Sequence, residues 1–137
     1  MTLQASKLRP GDSHEEIVVE DLSRTRIVMY AGASGDFQPF HTDETYAKAR
    51  GYPGTFAHGM LTMGLAGKAL THFVGDGRLL RYRARFVAQV WPGDSLTTHL
   101  TVTQVRADPP EADLAMETRN QHGEPVLSGS ATARLDP

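Results

Sequence analysis

An acid and an imidazole, Asp36 and His41, stand five residues apart with Pro39 between them. Proline lacks an N–H and pushes the residue before it, Gln38, out of helical geometry, so the two cannot stack as successive turns of one regular helix. They project instead from an irregular loop, the kind of segment that carries a disproportionate share of catalytic groups. A carboxylate and an imidazole that share one small molecule can take a proton from one atom and deliver one to another. Gly59 adds a third feature. It opens a very apolar stretch that reads as a helix, and a helix start offers unpaired N–H groups and a positive dipole end. An acid, an imidazole and a helix N-terminus suffice to move protons beside a polarised carbonyl.

The elements that must position these groups can be read outward from them. Ser23 is a helix cap, and the spacing predicts a helix from Arg24 to Ala31 with Ile27, Val28 and Ala31 on one face. Gly32 and Gly35 then release the chain into the acid–imidazole loop. Thr42 followed by Asp43 and Glu44 predicts a second helix, with a capping hydroxyl and acids in its first turn, ended by Gly51-Tyr52-Pro53-Gly54. From Gly59 to Val74 almost no residue is polar, which predicts a helix buried on most sides. Gly64 and Gly67 weaken it, by about 1 kcal/mol each relative to alanine, and imply close approach of another backbone layer. Met60 and Met63 read as core packing, with an acyl-lining role as the alternative.

Upstream, Met1 to Pro10 reads as a loose lead-in without the apolar core of a signal peptide, and Ile17-Val18-Val19 as a short first strand. Downstream of Arg78 the pattern alternates. Leu80, Tyr82, Ala84, Phe86, Ala88 and Val90 share one strand face, opposite Arg81, Arg83 and Arg85. After the turn Trp91-Pro92-Gly93-Asp94, strands are marked by Leu96 to Val102, by Leu114 and Met116, and by Leu127 to Leu135. Short turns between them predict an antiparallel meander. Helices early and strands late give an α+β fold with one long buried helix laid along the sheet, in one domain spanning 1–137.

Composition narrows the function. The chain has 137 residues, a formal charge of −2 and no cysteine. The charge gives no reason to expect nucleic acid or an anionic membrane as partner, and no apolar run is long enough to span a bilayer. The absence of cysteine rules out thiolate catalysis and disulfides and fits a reducing cytoplasm.

Tyr30-Ala31-Gly32-Ala33-Ser34-Gly35-Asp36, then Pro39 and His41, then Ala57-His58-Gly59-Met60, resemble the MaoC-like (R)-specific enoyl hydratase and dehydratase family. Arg85-Phe86 and Pro92-Gly93-Asp94 are also similar to it. The family motif runs Gly-Asp-x-Asn-Pro-x-His, and Gln38 stands here where asparagine is usual, keeping the amide but adding a methylene. The resemblance implies the hot-dog fold, an antiparallel sheet wrapped around one long buried helix. It implies reversible addition of water to trans-2-enoyl thioesters, with Asp36 and His41 as the catalytic pair gripping one water. Gly59, through its N–H, and His58, Ser34 and Gln38 are implied at the oxyanion and substrate positions. No metal or redox cofactor is implied, since the substrate brings its own carrier, coenzyme A or acyl carrier protein. A homodimer is implied as well.

Each of these residues has a plainer reading. His58 orders the loop ahead of the helix, Ser34 and Tyr30 make local turn and core contacts, and His14, His72, His99 and His122 are surface groups without partners. The Arg81/Arg83/Arg85 stripe is the solvated face of a strand, with carrier phosphates as its alternative use. A metal site from Asp36, His41, Asp43 and His58 lacks the i, i+4 spacing of helical ligands. Two other functions compete: a hot-dog thioesterase, which needs an acid on the long helix that Gly59 to Val74 lacks, and a non-catalytic acyl-binding or partner subunit of a heteromeric dehydratase, which has no need of the acid–imidazole pair.

Overall fold

The structure, a computed structural model, describes residues 3–137; Met1 and Thr2 of the expected lead-in lie outside the described residues. Leu3 onward is not loose. Leu8 is buried in the core, and the Ala5 N–H donates to Asp136 O. The elements run β1 (Ser13–Val19), α1 (Arg24–Ser34), α2 (Glu44–Ala49), α3 (Gly59–Val74), β2 (Leu79–Phe86), β3 (Leu96–Ala107), β4 (Pro110–Arg119) and β5 (Pro125–Arg134). All five strands form one antiparallel sheet in the order β1-β3-β4-β5-β2. This is the α+β arrangement read from the sequence, a sheet around one long helix.

Alternation builds the core. Leu96, Thr98, Leu100 and Val102 of β3 turn inward, as do Ala112, Leu114 and Met116 of β4 and Leu127, Ala131 and Ala133 of β5. They meet Leu61, Leu65, Ala66, Ala69, Leu70 and Val74 of α3. Within that apolar layer the hydroxyls of Thr98 and Thr118 satisfy one another at 2.8 Å. The α3 boundaries match the sequence reading, but the helix is not apolar all round in space. Met60, Gly64, Lys68 and His72 recur every fourth residue along one exposed stripe. Met60 therefore does not pack in the core. Neither glycine is approached by a backbone layer: a Cβ at Gly64 would meet open space, and one at Gly67 would touch the ring of Tyr82 at 3.3 Å. The Tyr82 hydroxyl donates to Met63 O at 2.6 Å, which pins β2 onto the helix, and burial pushes its pKa up.

Two sequence expectations yield to geometry. β2 does not pair with β3 to start the meander; it pairs with β5, its register running from Leu79 opposite Ala133 to Phe86 opposite Leu127. The segment 87–95 crosses the end of the sheet, anchored by buried Val90 and by the Gly93 N–H on Leu22 O. Leu80 falls at an irregularity in the β2–β5 register and is exposed rather than inward. The second correction concerns a cap. Asp43, not Thr42, caps α2, its carboxylate accepting the Tyr46 N–H at 3.0 Å, because Thr42 is taken up in closing the turn before it. Among the described residues no helix is long and apolar enough to cross a membrane.

Candidate active site

The site loop begins where α1 ends, at Ser34 rather than Ala31. Gly32 stays helical, and Gly35, with φ 76°, makes the left-handed turn that sends its N–H back to Ala31 O. Asp36 follows at once and is exposed. Its N–H donates to Ser34 Oγ at 3.2 Å, and its carboxylate accepts the Gln38 N–H at 3.3 Å. Gln38 Oε1 accepts the Phe40 N–H at 2.8 Å and so caps the single 3₁₀ turn Pro39–His41. Pro39 sits at its first position, where the missing N–H is not needed. Ser34 and Gln38, expected around the substrate, are thus engaged in the loop's own hydrogen bonds.

His41 gives its Nδ1–H to Phe56 O at 2.7 Å. A carbonyl only accepts, so the neutral ring carries its proton on Nδ1 and leaves Nε2 bare. His58, 1% exposed, gives its Nε2–H to the backbone oxygen of Asp36 at 3.0 Å, and its Nδ1 has no partner among the described residues. The two rings stack at 3.8 Å, 24° from parallel, with the edge of Tyr30 against His58. Burial holds the His58 pKa below the ordinary imidazole value, against the pull of its bond to Asp36 O, and the neighbouring His41 adds to the lowering. His58 is therefore a neutral, fixed donor. An Asp36 carboxylate oxygen and one nitrogen from each histidine lie within 4.8 Å of one another. The sequence spacing thus does bring Asp36 and His41 together. Asp43, the fourth residue of the metal set considered from the sequence, is not part of this trio.

Beside the trio, α3 begins. His58 is its cap residue and makes no side-chain capping bond, so the N–H groups of Gly59 and Met60 have no acceptor among the described residues. A cavity of about 270 Å³ opens there, between Phe56, Ala57, Gly59 and Thr62 on one wall and 86–90 with Val126 on the other. Asp36 and His41 do not line it. Phe56 joins the two, since its carbonyl holds His41 while its residue walls the cavity. Glycine at 59 is explained by the Phe86 ring, which a Cβ would meet at 3.2 Å. The Phe86 contact had no local sequence signal. Thr62 did, as a hydroxyl one turn inside an apolar helix, and the sequence reading passed over it.

The remaining expectations divide. Arg81, Arg83 and Arg85 are exposed and face Thr132, Ser130 and Ser128 across the sheet, away from the cavity. Met60 and Met63 do not line the cavity either. All four surface histidines do have partners: Glu16 accepts His72 Nδ1 at 2.9 Å and His14 Nε2 at 3.3 Å, Glu15 pairs with His99, and Gln121 Nε2 lies 3.4 Å from His122 Nε2. Burial pushes the Glu16 carboxyl up, and the bonds from His14 and His72 outweigh it, leaving the pKa lowered.

Comparison with known proteins locates this architecture. Residues 6–124 match the MaoC like domain. The (R)-specific enoyl-CoA hydratase of Aeromonas caviae is 32% identical over 114 residues, covering 80% of this chain and 83% of that protein. The fatty acid synthase beta subunit pkiC of Emericella nidulans is 35% identical over 105 residues, 74% of this chain, but the chain spans only 6% of that subunit's length. In space, the (R)-hydratase structure from A. caviae superposes with a TM-score of 0.85 at 27% identity, covering 94% of this chain and 98% of that one.

Proposed function

This chain belongs to the MaoC-like domain family, and from that membership and the geometry of its site we propose that it adds water reversibly to trans-2-enoyl thioesters, giving (R)-3-hydroxyacyl thioesters. One observation carries the proposal. The Asp36 carboxylate and the His41 imidazole come within 4.8 Å of each other beside an unpaired helix start, and His41 has its Nδ1–H fixed and Nε2 free.

The chemistry needs three things. A water must be held and deprotonated at Cβ, Cα must receive a proton, and the thioester oxygen must be stabilised while it carries enolate charge. Asp36 and His41 grip the water between them: the hydroxyl bonds to Cβ, the π pair moves to make the enolate, and a proton from the pair returns to Cα. Dehydration runs the same steps backward. Proton transfer by positioned groups of this kind is worth roughly 10²–10⁴-fold. The Gly59 N–H, backed by the α3 dipole, receives the enolate oxygen. His58 works on the loop, holding Asp36 by its backbone.

Nothing in these steps calls for a metal or redox cofactor, since the carrier, coenzyme A or acyl carrier protein, arrives with the substrate. The thioesterase alternative lacks its chemistry here, because α3 bears no acid. We further place the protein in the cytoplasm, on its lack of cysteine, and as a homodimer joined along β2. β2 pairs on one side only, exposes Leu80 and Phe86, and ends at the cavity, so a second copy there would stand at the cavity mouth.

The test is direct: purified protein with crotonyl-CoA, followed by loss of the conjugated-enone absorbance and chiral analysis of the product. Formation of the (R)-3-hydroxy product is expected. Release of free thiol without hydration would move the chain to the thioesterases. Binding of a fluorescent acyl thioester with no turnover would make it an acyl-binding subunit.

A further inference from the structure

Thr62 is 4% exposed, one turn inside α3, and its hydroxyl has no hydrogen-bond partner among the described residues. Threonines within helices ordinarily return the hydroxyl to a carbonyl three or four residues back. Thr71 does this on the same helix, donating to Lys68 O at 3.2 Å. Thr62 makes no such bond among the described residues. The carbonyl four residues back, His58 O, already accepts the Leu61 N–H at 3.1 Å and the Thr62 N–H at 3.4 Å, which occupies both of its lone pairs. Among the described residues the buried side-chain atom without a partner is His58 Nδ1, so the unpaired Thr62 hydroxyl is not sealed in the core but opens onto the cavity, free to donate to whatever occupies it.

Where the hydroxyl lies says what that is. Thr62 and Gly59 are the two α3 residues that wall the 270 Å³ cavity. Helix side chains lean toward the N-terminus, so Thr62 overlies the turn that Gly59 opens, where an N–H also has no acceptor. Two neutral donors without partners, one helical turn apart on one cavity wall, suit a single oxygen that gains charge. We propose that Thr62 is a second donor to the thioester oxygen of the substrate, beside the Gly59 N–H. This rests on the thioester reading of the site and adds a residue to it. The hydroxyl donates its hydrogen to the enolate oxygen and is not itself deprotonated, so no further proton acceptor is required.

The experiment compares wild type with Thr62→Val, which keeps the branched shape and loses the donor, and Thr62→Ser, which keeps the donor. Two quantities are read: steady-state hydration of crotonyl-CoA, and the infrared carbonyl stretch of a ¹³C-labelled enoyl thioester bound to each full-length protein. Thr62→Val is expected to lower kcat about 10²-fold, in line with the loss of one oxyanion donor, with KM nearly unchanged. Its bound carbonyl should be less shifted to low frequency than in wild type, and Thr62→Ser should restore both. If the valine variant does not fold, Thr62→Ala replaces it with the same expectations. A wild type that hydrates normally while the donor-free variant matches it in kcat and carbonyl frequency would overturn the Thr62 contact and leave hydration standing. A wild type that binds the thioester with a Thr62-dependent shift but adds no water would do the reverse.

Discussion

His41 and His58 lie face to face, ring centres 3.8 Å apart, and each gives its N–H to the backbone of the other's segment: His41 to Phe56 O, His58 to Asp36 O. The exchange is reciprocal. With the Phe56 N–H on Phe40 O at 3.3 Å, three hydrogen bonds stitch the loop 36–41 to the residues that lead into α3. The acid, the imidazole and the helix start are therefore one assembly, although 17 residues separate His41 from Gly59.

Removing either proton-transfer group should abolish the chemistry without unfolding the chain, because Asp36 is exposed and His41 is only half-buried. Asp36→Asn and His41→Ala are each expected to slow crotonyl-CoA hydration at least about 10²-fold, with both variants still folded by circular dichroism. Full turnover in either variant would falsify the mechanism.

His58 sets an acid limit on stability. Its pKa is lowered by burial in the folded chain, so below the ordinary imidazole value of about 6.5 the unfolded chain binds the extra proton and the folded chain does not. Stability should fall as pH drops through that range and level off only below the folded pKa. His58→Gln cannot take up the proton, and its urea-unfolding free energy should vary less between pH 7 and pH 5. Equal slopes in the two proteins would show that His58 is not the group responsible.

Two glycines should respond in opposite directions. A Cβ at Gly129 would collide with the Arg83 carbonyl, where β5 carries β2, while one at Gly64 meets nothing on the exposed stripe of α3. Gly129→Ala is expected to destabilise by about 1–3 kcal/mol through overpacking. Gly64→Ala should stabilise by up to about 1 kcal/mol through helix propensity. Chemical denaturation of the two variants reads both signs.

Gly59 and Phe86 should be coupled. A methyl group added at Gly59 would press on the Phe86 ring at 3.2 Å, so Gly59→Ala should lose activity on its own and recover part of it in a Phe86→Leu background. Contacting residues deviate from additivity by about 0.5–3 kcal/mol. A double-mutant cycle in kcat/KM that closes to zero would place the role of Gly59 elsewhere.

The single-sided pairing of β2 should be completed by a second copy, so light scattering is expected to give the mass of a dimer. Leu80→Lys, which puts a charge on that edge, should lower the apparent mass at dilute concentration. A fully active wild-type monomer would remove the dimer from the proposal.

Much of this was written locally in the sequence. Helix α3 announces its boundaries through its apolar run and Gly75; strands β3, β4 and β5 follow from alternation and short turns; Asp36, Pro39, His41 and Gly59 carry the resemblance in one 24-residue stretch. Each of these depends on neighbours along the chain, and periodicity and turn chemistry report neighbours. The partners of β2, the ring of Phe86 over Gly59, the stacking of His41 on His58 and the joining of His14 and His72 through Glu16 depend on how far-apart segments pack. An alternating strand pattern is the same whichever strand lies beside it, and a histidine's sequence neighbours do not name the carbonyl that will take its proton. Only the packing of the sheet around α3 decides those contacts, because it alone fixes which polar groups are already satisfied and which, like the Gly59 N–H, are left without an acceptor among the described residues.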